Sequence, residues 1–242
     1  MENLSQVPPL LISRCGTCVF YDPGNDDLFH RVPDEMNAAS ALVLAAGLSS
    51  RMGEFKPLLP LRGKTLIENA VESVLLGGAE TVVVVTGFRA SEVEEVLLQY
   101  GSRIRFVRNP DYARTDMLHS IRLGVGALPG CGAFYLLPGD MPVVRQETFA
   151  RLRSAWETAV QREKRRVCAV FPTLDGYRKH PPLIDAGMIR EISAFHSDGG
   201  LRELWKKHES EIVDVPVDDG GVWVDLDTPD DYHRCRKTYD HK

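Results

Sequence analysis

The 242-residue sequence has no run near the roughly eighteen consecutive apolar residues that a membrane-spanning helix needs. The short apolar stretch at residues 7–12 has no basic segment before it and no clear small-residue cleavage site after it, so it does not read as a secretory signal. Positive charge is also in short supply. With 29 Lys and Arg against 34 Asp and Glu, the formal net charge of -5 argues against the basic face of a nucleic-acid binder. The five cysteines, Cys15, Cys18, Cys131, Cys168 and Cys235, form no dense, even framework of the kind small secreted domains use. These absences predict a cytoplasmic protein without nucleic-acid or membrane partners.

At 43% hydrophobic content, the chain can bury one full core. Residues 1–39 are rich in turn formers such as Pro8, Pro9, Pro23, Gly24 and Pro33, and read as an appendage. Within it, Cys15-Gly16-Thr17-Cys18 has only His30 as a further soft ligand, short of a four-ligand zinc site. A redox pair, a metal site shared with another protein, and a tight turn with two inert thiols all fit it.

Residues 40–242 read as the domain proper. Apolar runs at 41–45, 81–86, 104–107 and 133–137 alternate with helix-like stretches at 65–76, 91–100, 116–128 and 146–162. That rhythm predicts an α/β fold, a Rossmann-like three-layer sandwich with a mainly parallel, mixed sheet. Past residue 166 the pattern is less regular: apolar or extended pieces at 167–171, 181–184, 212–215 and 222–226, with helices near 186–194, 201–208 and from Pro229. Ligands in such folds sit at the carboxyl ends of the strands, so chemistry is sought in the loops that follow them.

The first of these loops leaves the strand as Leu44-Ala45-Ala46-Gly47-Leu48-Ser49-Ser50-Arg51-Met52-Gly53-Glu54-Phe55-Lys56. Small residues let backbone N–H groups approach a phosphate chain, and Arg51 and Lys56 can neutralise charge on it. A plain Gly/Ser turn with two solvated cations is the alternative. Two better-known phosphate motifs are absent: Gly47 and Gly53 are too few for G-x-G-x-x-G, and Leu58 stands where a phosphate loop ending in Gly63-Lys64-Thr65 needs glycine.

A second loop, Gly139-Asp140-Met141-Pro142, puts a carboxylate directly after the run at 133–137. Asp140 fits a magnesium ligand, since that ion binds through one or two carboxylates and bridges phosphates. Capping the next helix would suit it equally. Near the carboxyl end, Asp225-Leu226-Asp227-Thr228-Pro229-Asp230-Asp231 places acids at a predicted strand end and opens a helix at Thr-Pro. Strand alternation would put Asp225 and Asp227 on one face.

The loop at residues 44–56 resembles the signature L-A-A-G-x-S-x-R-M-G-x-x-K of the molybdenum-cofactor nucleotidyltransferases, and matches at every fixed position. The G-D-M-P and D-x-D-T-P segments are similar to further motifs of that family. The resemblance implies a nucleotide-diphospho-sugar transferase type of fold and transfer of a nucleoside monophosphate from an NTP to a phosphorylated acceptor. It implies Mg2+ held by Asp140 and Asp227, with Asp225 beside them, and Arg51 and Lys56 on the leaving pyrophosphate. Leu44, Ala45, Ala46, Gly47, Ser49, Ser50 and Gly53 would wrap the nucleotide.

Ala45-Ala46-Gly47 is similar to the cytidylyl branch, which favours CTP, molybdopterin as acceptor, and a protein partner that receives the product cofactor. The same chemistry on a sugar phosphate or other phosphorylated small molecule, and a non-catalytic NTP-binding protein of cofactor maturation, are the alternatives. Thr86, Gly87 and Asn109 follow strands and are turn residues that could also meet the base. Ser120 keeps the last position of a family motif from which Thr115-Asp116-Met117 departs by one extra residue. Lys179-His180-Pro181-Pro182 is similar to the family's acceptor-side G-H-P-P, with Lys179 in place of glycine. His180 could contact acceptor or serve the core, and Arg202 could meet an anionic acceptor or a helix carboxylate.

Overall fold

A computed structural model describes residues 38–240. Cys15, Cys18 and His30 lie outside the described residues, as does nearly all of the expected appendage.

The chain enters through β1 (Ala39–Ala45), small and branched apolar residues that are buried almost throughout. A short hairpin follows, β2 (Pro60–Leu61) and β3 (Lys64–Thr65). Its turn residues Arg62 and Gly63 both have positive φ, as a tight two-residue hairpin demands. The Gly63-Lys64-Thr65 sequence therefore makes a turn and a helix cap. Thr65 opens α1 (Leu66–Leu76), its hydroxyl accepting from the Glu68 N–H while the Glu68 carboxylate accepts from the Thr65 N–H.

Strands and helices then alternate: β4 (Ala79–Thr86), α2 (Ala90–Leu97), β5 (Ile104–Arg108), α3 (Met117–Val125), β6 (Ala133–Pro138) and α4 (Gln146–Glu157). The predicted helix at 146–162 is thus shorter, since residues 158–162 widen into a π turn. The rest comprises β7 (Ala169–Leu174), β8 (Tyr177–Arg178), β9 (Leu183–Asp185), α5 (Ile189–Ala194), α6 (Leu201–Lys207), β10 (Ile212–Pro216) and α7 (Pro229–Tyr239).

The main sheet runs β10-β7-β9-β6-β1-β4-β5, with β8 paired to β7. Pairings of β1 with β4 and β6, β4 with β5, and β10 with β7 are parallel, while β9 is antiparallel to both β6 and β7. Alternation along the strands feeds two cores. Ala41, Val43, Val82 and Val84 pack with Val71 of α1 and Phe149 of α4, whereas Leu42, Val83 and Val85 pack with Ile121 of α3 and Ile192 of α5. Helices cover both faces, giving the expected three-layer, mainly parallel mixed sandwich. Among the described residues, no helix is long and apolar enough to cross a membrane.

The extended piece predicted at 222–226 is not a strand. Gly220–Trp223 forms a single 3-10 turn, capped by the buried Asp219 carboxylate, which accepts from the Gly221 N–H. Gly221 lies so close to the backbone of Val143 that a Cβ there would fall 2.2 Å from its carbonyl oxygen. Leu226 packs with Met52, Leu66, Val143 and Tyr232 in a third cluster, so the apolar run read as a strand is a turn and an irregular segment held by packing.

Candidate functional site

Strands β1, β4 and β6 are parallel neighbours, so they all open at the same edge of the sheet. There the Gly139 N–H donates to the Leu44 carbonyl at 2.8 Å. A Cβ on Gly139 would lie 2.9 Å from that same oxygen, so only glycine allows so close an approach. This brings Asp140 beside the loop that follows β1. The loop is folded on Ser49, whose φ of 55° is left-handed. Its carbonyl accepts from Met52 N–H at 3.0 Å and its hydroxyl from Lys56 N–H at 3.1 Å. Buried Met52 anchors the loop in the third cluster.

Four charged groups meet where the loop, the end of β6 and the segment before α7 converge. The Lys56 ammonium donates to Asp140 Oδ2 at 3.1 Å and to Asp227 Oδ1 at 2.9 Å, and Arg51 pairs with the other Asp227 oxygen. Burial lowers the pKa of Lys56, but its hydrogen bonds and charge interactions with Asp227 and Asp140 outweigh this and raise it. The ammonium is held charged.

Carboxylate oxygens of Asp140, Asp225 and Asp227 lie within 4.8 Å of one another. Burial, followed by the charges of Asp140 and Asp227, raises the pKa of the Asp225 carboxyl. Three carboxylates gathered this closely suit a hard divalent cation with oxygen ligands. These three residues could hold one.

A cavity of about 770 Å³ opens over the cluster. Leu44, Ala45, Ala46, Gly47, Ser49, Ser50, Arg51 and Lys56 line it together with Asp140, Asp225 and Asp227. Ser120 and His180 line it too. His180 Nδ1 lies 3.3 Å from the Leu136 carbonyl, which can only accept, so Nδ1 carries the proton. Burial holds this ring below the ordinary histidine pKa against the opposing effects of that carbonyl and Asp140. A neutral imidazole faces the cavity.

Other expected residues do not line this cavity. Gly53 sits in an adjoining depression with Phe88 and Arg89. Thr86 is buried and donates to Glu94. Gly87 packs so tightly that a Cβ would lie 2.7 Å from both the Ala46 carbonyl oxygen and Tyr112 Cβ. Asn109 is buried, and its amide nitrogen donates to the hydroxyls of Thr115 and Ser120 at 3.0 and 3.1 Å.

The extra residue at 115–117 is absorbed by this turn: Thr115 donates to the Asp111 carbonyl, and Asp116 caps α3 by accepting from His119 N–H. Arg202 is exposed on α6 and is absent from the lining. Residues the sequence reading did not assign to the site, Tyr112, Met117, Arg178 and Trp223, line the cavity instead. The signal for Trp223 was hidden in an apolar run read as strand, and Arg178 was legible only as the neighbour of Lys179-His180.

This sandwich, with a small-residue loop and a carboxylate cluster at the strand ends, has the nucleotide-diphospho-sugar transferase fold, the class its structural neighbours define. The chain matches the MobA-like NTP transferase domain over residues 41–212 and belongs to that family. It is 30% identical over 206 residues to the molybdenum cofactor cytidylyltransferase of Escherichia coli, covering 84% of this chain and 98% of the relative. It is also 31% identical over 209 residues to the nicotine blue oxidoreductase of Paenarthrobacter nicotinovorans, covering 83% and 97%. Among solved structures, a nucleotidyl transferase from Methanothermobacter thermautotroptrophicus superposes with a TM-score of 0.68 at 30% identity, covering 84% of this chain and 97% of that one.

Proposed function

We propose that residues 40–242 form a cytoplasmic, Mg2+-dependent nucleotidyltransferase that moves CMP from CTP to a phosphorylated small molecule such as molybdopterin and releases pyrophosphate. The observation that carries this reading is Lys56, which joins the loop at 44–56 to both Asp140 and Asp227. A cation so placed can meet a triphosphate chain beside a metal-holding cluster. Bound at Asp140, Asp227 and Asp225, Mg2+ would neutralise charge on the phosphate oxygens.

In the step itself, an acceptor phosphate oxygen attacks the α-phosphorus, the bond to the bridging oxygen breaks, and pyrophosphate departs with that electron pair. Arg51 and Lys56 stabilise the departing charge. The acceptor phosphate is already ionised near neutral pH, so no strong general base is needed. CTP is favoured by Ala45-Ala46-Gly47 and by the cytidylyltransferase relative. The product cofactor would pass to a protein partner.

The relatives carry both transferase and oxidoreductase names, so the choice rests on the site. Hydride transfer has no use for three clustered carboxylates, two of them paired to a lysine, whereas nucleotidyl transfer can use all four. The test is pyrophosphate release with Mg2+ from CTP, GTP, UTP and ATP, with and without molybdopterin. Acceptor-dependent release from CTP is expected; release that is equal with and without molybdopterin would mean transfer to water and overturn the transferase reading, and no release from a bound nucleotide would remove molybdopterin as the acceptor.

A further inference from the structure

Among the described residues, four cationic side chains line the cavity: Arg51, Lys56, Arg178 and Lys179. The first two are engaged with Asp140 and Asp227, and Arg178 is held by Glu209 and Asp214. Among the described residues, Lys179 makes no ion pair. Its backbone is fixed, the N–H donating to the Pro172 carbonyl at 2.8 Å, while its ammonium rests 3.3 Å from the ring centroid of Trp223 and 5.8 Å from that of Tyr177.

Trp223 is 55% exposed, an unusual state for so large an apolar side chain, yet it stands on a turn pinned by Asp219 and by the close approach of Gly221 to Val143. An exposed aromatic face and an uncommitted cation thus share the cavity lining with the three carboxylates.

We propose that Lys179 and Trp223 select the acceptor, with the ring of a planar heteroaromatic molecule stacking on Trp223 and its phosphate drawing the Lys179 ammonium off that face. A cation lying on an indole holds the place a stacked ring would take, and it can leave for an anion without breaking an ion pair. This inference rests on the nucleotidyl-transfer reading for the direction of chemistry, but ligand binding at the pair can be measured without turnover.

The experiment is direct titration of full-length protein with neopterin monophosphate, neopterin and glucose 1-phosphate, read by calorimetry. Wild type should prefer neopterin monophosphate over both partial ligands. Trp223→Ala should weaken neopterin monophosphate by about tenfold or more, with Trp223→Phe restoring most of the loss, as stacking on aromatic faces requires. Lys179→Ala should weaken neopterin monophosphate several-fold and leave neopterin unchanged.

CTP binding to each variant, read separately, reports that the fold and the loop at 44–56 are intact. Equal binding of glucose 1-phosphate and neopterin monophosphate to wild type, no binding of any of the three, or wild-type binding by both alanine variants would overturn the proposal. Selective ring binding without pyrophosphate release from any nucleotide would instead sink the reaction and leave the acceptor-reading pair standing.

Discussion

Lys56 and Asp227 are 171 positions apart in the sequence, and their side chains meet at 2.9 Å. The same ammonium reaches Asp140 at 3.1 Å, so one side chain ties the loop after β1 to the end of β6 and to the segment before α7. Its charge compensates carboxylates that would otherwise repel one another, and it competes with any cation they hold.

Replacing Lys56 with methionine should therefore act in two opposite directions. Turnover should fall by roughly 10²–10³-fold, the range expected when a preorganised charge-stabilising group is lost. The affinity of the nucleotide-free protein for Mn2+ should rise, because the competing ammonium is gone. Steady-state kinetics and calorimetric Mn2+ titration of the same variant check both effects, and a fall in Mn2+ affinity would show that Lys56 supports the cation site by another route.

The three carboxylates should not be equivalent. Asp227 accepts from both Arg51 and Lys56, and Asp140 from Lys56, whereas Asp225 has no hydrogen bond to either cation. Asp140→Asn and Asp227→Asn should abolish turnover with the fold intact, and Asp225→Asn should leave a measurable residue of activity. Turnover at the wild-type level in Asp140→Asn, with native circular dichroism, would remove Asp140 from the mechanism.

Gly221→Ala tests how the acidic segment is placed. Its Cβ would fall 2.2 Å from the Val143 carbonyl oxygen, a backbone atom that cannot move cheaply. The variant should lose about 1–3 kcal/mol of stability, as overpacking typically costs, and should lose activity beyond that, since residues 225 and 227 would shift from Asp140. Urea unfolding together with the kinetics separates the two effects.

Much of this was legible beforehand. Continuous apolar runs and helical periodicity located β1, β4, β5, β6 and the helices between them, because buried parallel strands must be almost wholly apolar. The loop residues Arg51 and Lys56 and the acids Asp140, Asp225 and Asp227 were found from residue type and resemblance, and the structure brings all five together. What could not be read was packing. Asn109 carries the same turn signal whether it faces a base or, as here, binds Thr115 and Ser120, and residues 222–226 carry a strand-like apolar run although Gly220–Trp223 is a 3-10 turn.

Stability should also carry a pH signature from a group that does not line the cavity. His208 hydrogen-bonds Glu191 and Glu211, and the Glu191 bond first, against burial and with Glu211, raises its pKa. The stabilisation, roughly 1 kcal/mol for charged hydrogen bonds at a partly exposed site, should be complete below the unfolded histidine pKa and vanish as pH climbs through the raised folded value. His208→Gln should narrow the stability gap between pH 5.5 and pH 8.5, measured by thermal melting. An unchanged gap would assign the pH dependence to other groups.

The central claim is that the nucleotide's α-phosphorus is the atom attacked. Reaction with CTP labelled in turn at the α- and γ-phosphorus, in the presence of Mg2+ and molybdopterin, reads this directly. The account predicts α-label on the molybdopterin product and γ-label in pyrophosphate; γ-label on molybdopterin, or no transfer of either label from bound CTP, would contradict it.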